Sequence, residues 1–196
     1  MTAPDIAICI LAGGEASRLP GKLALDVGHV PMLVRVYRNV SRGRPTWIST
    51  KGSLPPMVDA AIDAPMVVDR WPKRGPLSGL LSTMNEMRSE WVFAVAGDAP
   101  FVDAPFVDTL AAEIRPDLEA IVPVHADERA RIEPLAALYH REAFLREGMP
   151  ILLGGDGALR LVIDRLRTNF VPIGDPTVLT NVNTPADYAG LRGVTA

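Results

Sequence analysis

The 196-residue chain has one cysteine, three histidines and few aromatic residues, and each scarcity argues against a class of function. Cys9 has no second cysteine with which to form a disulfide. No histidine stands near it at a spacing that suits a metal site or a Cys–His nucleophile. Aromatic residues make up 6% of the chain, and its tryptophans are too dispersed to stack successive bases. We therefore expect neither a thiol enzyme nor a nucleic-acid-binding protein, and we expect Cys9 to be a small buried residue of a strand.

Long apolar segments and blocks of like charge are also missing from the sequence. We expect no secretory signal and no membrane span, and hence a cytoplasmic protein, because no charged region precedes a long apolar run. The net charge of −3 is not concentrated anywhere, which gives no reason to expect nucleic acid or an acidic membrane as a partner. The remaining composition, 48% apolar and 22% charged, is typical of one globular domain over residues 1–196.

Strand-length apolar runs alternate with segments of helical periodicity, which predicts an α/β fold with a mostly parallel sheet. The run WVFAVAG lacks polar alternation, as a central strand covered on both faces requires. The predicted strands are Ile6 to Ala12, Trp47 to Thr50, Met66 to Asp69, Trp91 to Gly97, Leu118 to Val124 and Phe170 to Ile173, with Arg131 to Tyr139 as a further candidate. The predicted helices are Met32 to Val40, Leu77 to Met87, Phe106 to Ile114, Ala158 to Leu166 and Ala186 to Leu191.

The first predicted strand ends in a glycine-rich, basic loop. Gly13 and Gly14 let the backbone approach a ligand closely, and Ser17, Arg18 and Lys22 add a hydroxyl group and two cations. This combination suits an oligophosphate, because backbone N–H groups bind anions and the cations neutralise their charge. The alternative is an ordinary strand-to-helix turn, which has no need of both cations. The P-loop and G-x-G-x-x-G spacings are both absent.

A carboxylate, Asp98, follows the central strand in the segment VAGDAPF. Ligands of open α/β sheets bind beyond the carboxyl ends of the strands, and a carboxylate there can hold Mg²⁺, which prefers oxygen ligands. The alternative is an Asx-turn or a helix N-cap. A phosphate-binding loop elsewhere in the chain favours the metal.

The segment DRWPKRGPLSG follows the third predicted strand. Asp69 closes that strand, and the small residues Gly75, Pro76 and Gly79 would let a base or a ribose lie against the backbone. The alternative is a solvated loop that ends at a helix start.

The polar segment TNVNTPADY lies near the end of the sequence. Thr184 and Pro185 are typical of a helix N-cap and first helical residue. Asn183 or Asn181 could also supply an oxygen to a metal or a substrate.

Taken in order, these motifs resemble the nucleotidyltransferases of the glycosyltransferase-A-like fold, and most of all the molybdenum cofactor guanylyltransferases. The resemblance spans nearly the whole chain and implies a single-domain, Rossmann-like three-layer sandwich with a mostly parallel, mixed central sheet. Compared with familiar members, the chain has a shorter first loop, Glu133 where a histidine is common, and no clear match for an asparagine after the second strand. The matching segments are LAGG at Leu11–Gly14, SR at Ser17–Arg18, GK at Gly21–Lys22, GPLSG at Gly75–Gly79, GDAPF at Gly97–Phe101, EPLAALY at Glu133–Tyr139 and NVNTPAD at Asn181–Asp187.

The resemblance implies a reaction in which GTP and the molybdopterin cofactor give the guanine dinucleotide cofactor and pyrophosphate, with Mg²⁺. Lys22, Arg18 and Asp98 would be catalytic, and Asp98 with Asn183 would hold the metal. Molybdoenzymes or cofactor-insertion proteins are expected partners. Rival hypotheses are transfer of another base or to another acceptor (CTP to molybdopterin, a sugar phosphate or cobinamide phosphate) and a non-catalytic GTP-binding adaptor that delivers cofactor. The implied nucleotide-binding residues are Leu11, Ala12, Gly13, Gly14, Lys22, Asp69, Gly75, Pro76, Gly79 and Asp98.

Overall fold

The computed structural model describes residues 4–13, 19–71, 75–126 and 130–191. Within these residues, seven strands form one sheet in the order β3-β2-β1-β4-β6-β5-β7. Strand β6 runs antiparallel to both of its neighbours, and the other pairings are parallel. The strands are β1 (Ile6–Leu11), β2 (Thr46–Thr50), β3 (Met66–Val68), β4 (Trp91–Ala96), β5 (Ala120–His125), β6 (Ala136–His140) and β7 (Thr168–Ile173).

Helices cover both faces of the sheet. Helices α1, α2 and α4 pack on one face and α3, α5 and α6 on the other, each face with its own hydrophobic core. The predicted three-layer α/β sandwich with a mixed, mostly parallel sheet is therefore confirmed. The helices are α1 (Met32–Ser41), α2 (Pro56–Asp59), α3 (Gly75–Met84), α4 (Ala104–Ala111), α5 (Arg141–Leu153), α6 (Leu159–Ile163) and α7 (Pro185–Leu191), with 3₁₀ turns at Lys22–Ala24 and Pro176–Leu179.

Strand β4 lies between β1 and β6, and all six of its residues are buried. Its position confirms the interpretation of the uninterrupted apolar run as a central strand. Cys9 of β1 is also fully buried, and burial raises the pKa of its thiol to about 12. The thiol is therefore protonated at neutral pH and inert, as the sequence led us to expect.

Three elements differ from the sequence-based prediction in more than their end residues. The candidate strand from Arg131 to Tyr139 is confined to β6, and Ile132 contributes only an isolated bridge to Val124. Residues 131–133 still pair with the end of β5, and a turn at Pro134 and Leu135 separates them from β6. Helices α2 and α5 were not predicted.

A buried carboxylate pairs with two arginines just before β5. Glu119 Oε1 accepts hydrogen bonds from Arg146 at 3.0 Å, and its Oε2 accepts from the Arg167 backbone N–H at 3.1 Å. Burial alone would raise the pKa of Glu119, but the hydrogen bonds and charges of these arginines outweigh it and leave the pKa below its usual value. Because the ionised form is favoured in the folded state, this pairing stabilises the fold at neutral pH.

Candidate active site

A cavity of about 1000 Å³ opens at the carboxyl ends of β1, β2, β3 and β4. It lies where parallel sheets of this kind bind their ligands. Ten of the residues proposed from the sequence meet in its lining, although they come from five separate segments of the chain. These residues are Leu11, Ala12, Gly13, Lys22, Asp69, Gly75, Pro76, Gly79, Asp98 and Asn183. Three further residues proposed from the sequence, Gly14, Ser17 and Arg18, lie outside the described part of the chain.

Lys22, Asp98 and Asn183 form a cluster in this lining. The Lys22 ammonium donates hydrogen bonds to Asp98 Oδ2 and, at 3.0 Å, to Asn183 Oδ1. The Lys22 and Asp98 side chains are 12% and 13% exposed, so water screens their attraction less than it would screen a surface pair. The structure thus brings together the predicted phosphate-binding cation and the predicted metal-binding carboxylate.

Local structure explains why these three side chains meet. Lys22 begins a 3₁₀ turn after Gly21, which has a φ of 69°. Asp98 lies just beyond β4, and its carbonyl oxygen accepts a hydrogen bond from Val182 N–H at 2.9 Å. That bond places the chain before α7, and therefore Asn183, beside the end of β4.

The cap of α7 holds Asn183 from the other side. Thr184 Oγ1 accepts a hydrogen bond from Asp187 N–H, while Asp187 Oδ2 accepts from the backbone N–H groups of Asn183 and Thr184. This reciprocal arrangement is a capping box. It confirms the predicted helix start at Thr184 and Pro185, and it leaves the Asn183 side chain in contact with Lys22.

Asp98 does not cap the helix that follows it. The N-cap of α4 is Asp103, whose Oδ1 accepts from Phe106 N–H at 2.9 Å. The capping alternative for Asp98 is therefore wrong, and its carboxylate faces the cavity instead.

The oxygen atoms of Asp98 and Asn183 in this cluster are suited to bind a cation. A carboxylate oxygen and an amide oxygen both accept hydrogen bonds from one ammonium group, so a positive charge already sits between them. Among the described residues, no group of three or more His, Cys, Asp or Glu side chains could hold a metal. Two oxygen donors fit Mg²⁺, which keeps several water or phosphate ligands, better than they fit a metal that needs a full protein cage.

Asp69 has a different setting from Asp98. It is 6% exposed, and both carboxylate oxygens already accept hydrogen bonds, from Trp71 N–H at 2.8 Å and from Ser78 Oγ at 2.7 Å. These bonds tie the end of β3 to the first turn of α3. Asp69 therefore shapes the cavity wall and holds the glycine-rich start of α3 against it.

Sequence reasoning missed one wall of the cavity. Residues 49–55, which end β2 and lead into α2, all line it. Thr50 Oγ1 accepts a hydrogen bond from Gly52 N–H at 3.1 Å, which folds this segment into a tight turn. The sequence feature that could have indicated this wall is the position of Lys51, Gly52 and Ser53 directly after a predicted parallel strand, where ligands bind in such sheets.

Known protein families and solved structures include several to which this chain is similar. A protein-family model described as the MobA-like NTP transferase domain matches residues 8–170. Molybdenum cofactor guanylyltransferases from Vibrio cholerae and Vibrio atlanticus are 26% and 28% identical to the chain; the first match covers 94% of this chain and 90% of the relative, and the second covers 91% of each. The crystal structure of molybdopterin-guanine dinucleotide biosynthesis protein A from Archaeoglobus fulgidus superimposes with a TM-score of 0.80 at 20% identity, over 96% of this chain and 97% of that one.

Among the described residues, no helix is both long and apolar enough to cross a membrane.

Proposed function

Because the chain belongs to the MobA-like NTP transferase family, we propose that it transfers GMP from GTP to the molybdopterin cofactor and releases pyrophosphate. The observation that carries this proposal is the contact of Lys22 with Asp98 inside the cavity at the carboxyl edge of the sheet. The Lys22 ammonium is suited to bind a phosphate and the Asp98 carboxylate a divalent cation. Because they are in contact, both can act on the same triphosphate. The guanylyltransferase relatives support the choice of GTP and of the acceptor.

We assign the Mg²⁺ site of this reaction to Asp98 and Asn183. When bound there, Mg²⁺ would supply positive charge that offsets the phosphates and makes the reacting phosphorus more electrophilic. The Lys22 ammonium, which these two side chains hold in the structure, would then be free to bind phosphate oxygens. Lys22 thus balances the charge of Asp98 before the nucleotide arrives and the charge of the triphosphate afterwards.

The chemical demands of the reaction match what these residues offer. The terminal phosphate of the acceptor attacks the α-phosphorus of GTP and is already anionic, so no general base is required. The barrier lies in the approach of like charges and in the charge that grows on the leaving pyrophosphate. The chain contributes positioning and electrostatic stabilisation, through Lys22, the N–H groups of the first loop and, as predicted from the sequence, Arg18.

The decisive experiment measures pyrophosphate release from GTP, CTP, ATP and UTP, with Mg²⁺ and with or without molybdopterin. We expect release from GTP that requires both Mg²⁺ and molybdopterin. Release that is faster with CTP would overturn the choice of base. Tight GTP binding without turnover in the presence of molybdopterin would favour the cofactor-delivery adaptor.

A further inference from the structure

Lys51 is a second cation in the cavity lining, and it belongs to none of the motifs found in the sequence. It is the first residue beyond β2, it is exposed, and it lines the cavity. In the described part of the chain, no group forms a hydrogen bond or ion pair with it, whereas Lys22 is held by Asp98 and Asn183. Lys51 therefore offers the cavity an ammonium group whose three N–H donors have no partner among the described residues.

The sheet separates Lys51 from the reacting end of the cavity. Strand β1 lies between β2, which ends at Lys51, and β4, which leads to Asp98. Two strand spacings put the ends of β2 and β4 about 10 Å apart. When the reacting phosphate lies at Asp98, a nucleoside that extends toward β2 and β3 meets residues 49–55, Asp69 and the start of α3, which line that side of the cavity.

Gly13 leaves room for the Lys51 side chain. A Cβ atom at Gly13 would stand 2.9 Å from Lys51 Cγ and 3.3 Å from its backbone nitrogen. Any larger residue at position 13 would therefore displace the stem of Lys51. Gly13 and Lys51 therefore lie on one wall of the cavity, and the shape of this wall depends on the absence of a side chain at position 13.

We propose that Lys51 is the residue of this chain that selects the nucleobase, by donating hydrogen bonds to O6 and N7 of guanine. This inference rests on the proposed function. Guanine presents two acceptors along that edge, whereas adenine presents an amino group at position 6, and a lysine ammonium is suited to the guanine pattern.

The test is equilibrium binding of GTP, ITP and ATP, each with Mg²⁺, to the wild type and to Lys51→Met. ITP keeps O6 and N7 but lacks the 2-amino group, so it isolates the edge that Lys51 would contact. We expect the variant to bind GTP and ITP about 10- to 100-fold more weakly, with ATP binding changed no more than about twofold. Lys51→Arg should keep most of the preference for GTP and ITP, since arginine also pairs with O6 and N7.

Arg88→Met is the matched control. It also removes one exposed cation, but Arg88 precedes β4 and so lies at the opposite edge of the sheet. The control should bind all three nucleotides as the wild type does. An equal loss for GTP, ITP and ATP in Lys51→Met would place the ammonium on phosphate and overturn the inference, as would no loss at all. In both of those cases the wild type still binds GTP, whereas a wild type that binds none of the three overturns the proposed function as well.

Discussion

Replacing Asp98 with asparagine should separate catalysis from folding. The substitution keeps the shape of the side chain and one acceptor oxygen. It removes the negative charge that contacts Lys22 and that we propose binds Mg²⁺. Loss of one well-placed electrostatic contact of this kind lowers turnover about 10²- to 10³-fold, which is about 2.7–4 kcal/mol of transition-state stabilisation. We expect a loss of that size in the rate of pyrophosphate release from GTP.

The cost to folding should be smaller, for a reason visible in the cluster. A hydrogen bond to a charged group contributes about 1.5–3 kcal/mol, but Asn183 Oδ1 still accepts from Lys22 at 3.0 Å. The Lys22 side chain is also 12% exposed, so water can solvate part of its charge. We expect the low end of that range, which for a chain of this length lowers Tm by about 3–6 °C.

The assay combines steady-state pyrophosphate release, over a series of Mg²⁺ concentrations, with thermal unfolding of the same samples. Asp103→Ala is the matched control, because it removes another carboxylate of the same loop at a cost of about 1 kcal/mol for the lost cap of α4. The control should lose stability and keep its activity. Near-normal, Mg²⁺-dependent turnover of Asp98→Asn would refute the assignment of this carboxylate to the metal.

Three further predictions concern other parts of the molecule. Lys22→Met should lower turnover about 10²- to 10³-fold while the protein still unfolds cooperatively, and unchanged pyrophosphate release would contradict its phosphate role. Gly13→Ala should weaken GTP binding by displacing Lys51, with little further loss in a Lys51→Met background; additive losses in calorimetric titrations would disprove the coupling. Glu119→Gln should lower the free energy of unfolding at pH 7 by about 1.5–3 kcal/mol. Since folding lowers the pKa of Glu119, the wild-type advantage is complete above about pH 5 and shrinks as the pH falls below 4.5, the ordinary pKa of the group; denaturant unfolding at several pH values would show a constant difference if this reasoning were wrong.

Much of the fold followed from local pattern. The run that became β4 was recognisable because a strand covered on both faces needs no polar residue, and its six residues are all buried. Helix α1 was recognisable from its apolar periodicity, and Leu33, Val36 and Val40 lie on one buried face. In both elements the pattern that predicts burial involves residues close together in the sequence.

Helix α5 escaped prediction for a tertiary reason. Its sequence contains Gly148 and Pro150, both of which weaken a helix. The glycine is required because side chains of α3 approach closely there: a Cβ at Gly148 would stand 3.0 Å from a methyl group of Leu81 and 3.2 Å from one of Leu77. Packing between α3 and α5 therefore overrides the local preference of the segment.

The α/β class, the glycine-rich loop and the kind of ligand that such a loop and its cations suit could be predicted from the sequence, because these depend on neighbouring residues. The contact of Lys22 with Asp98 and Asn183, which are 76 and 161 residues further along the chain, is visible only in the folded structure. Only the strand order put Lys51 on the wall beside Gly13. Contacts across such separations depend on how strands and helices assemble, and no local pattern in the sequence specifies that assembly.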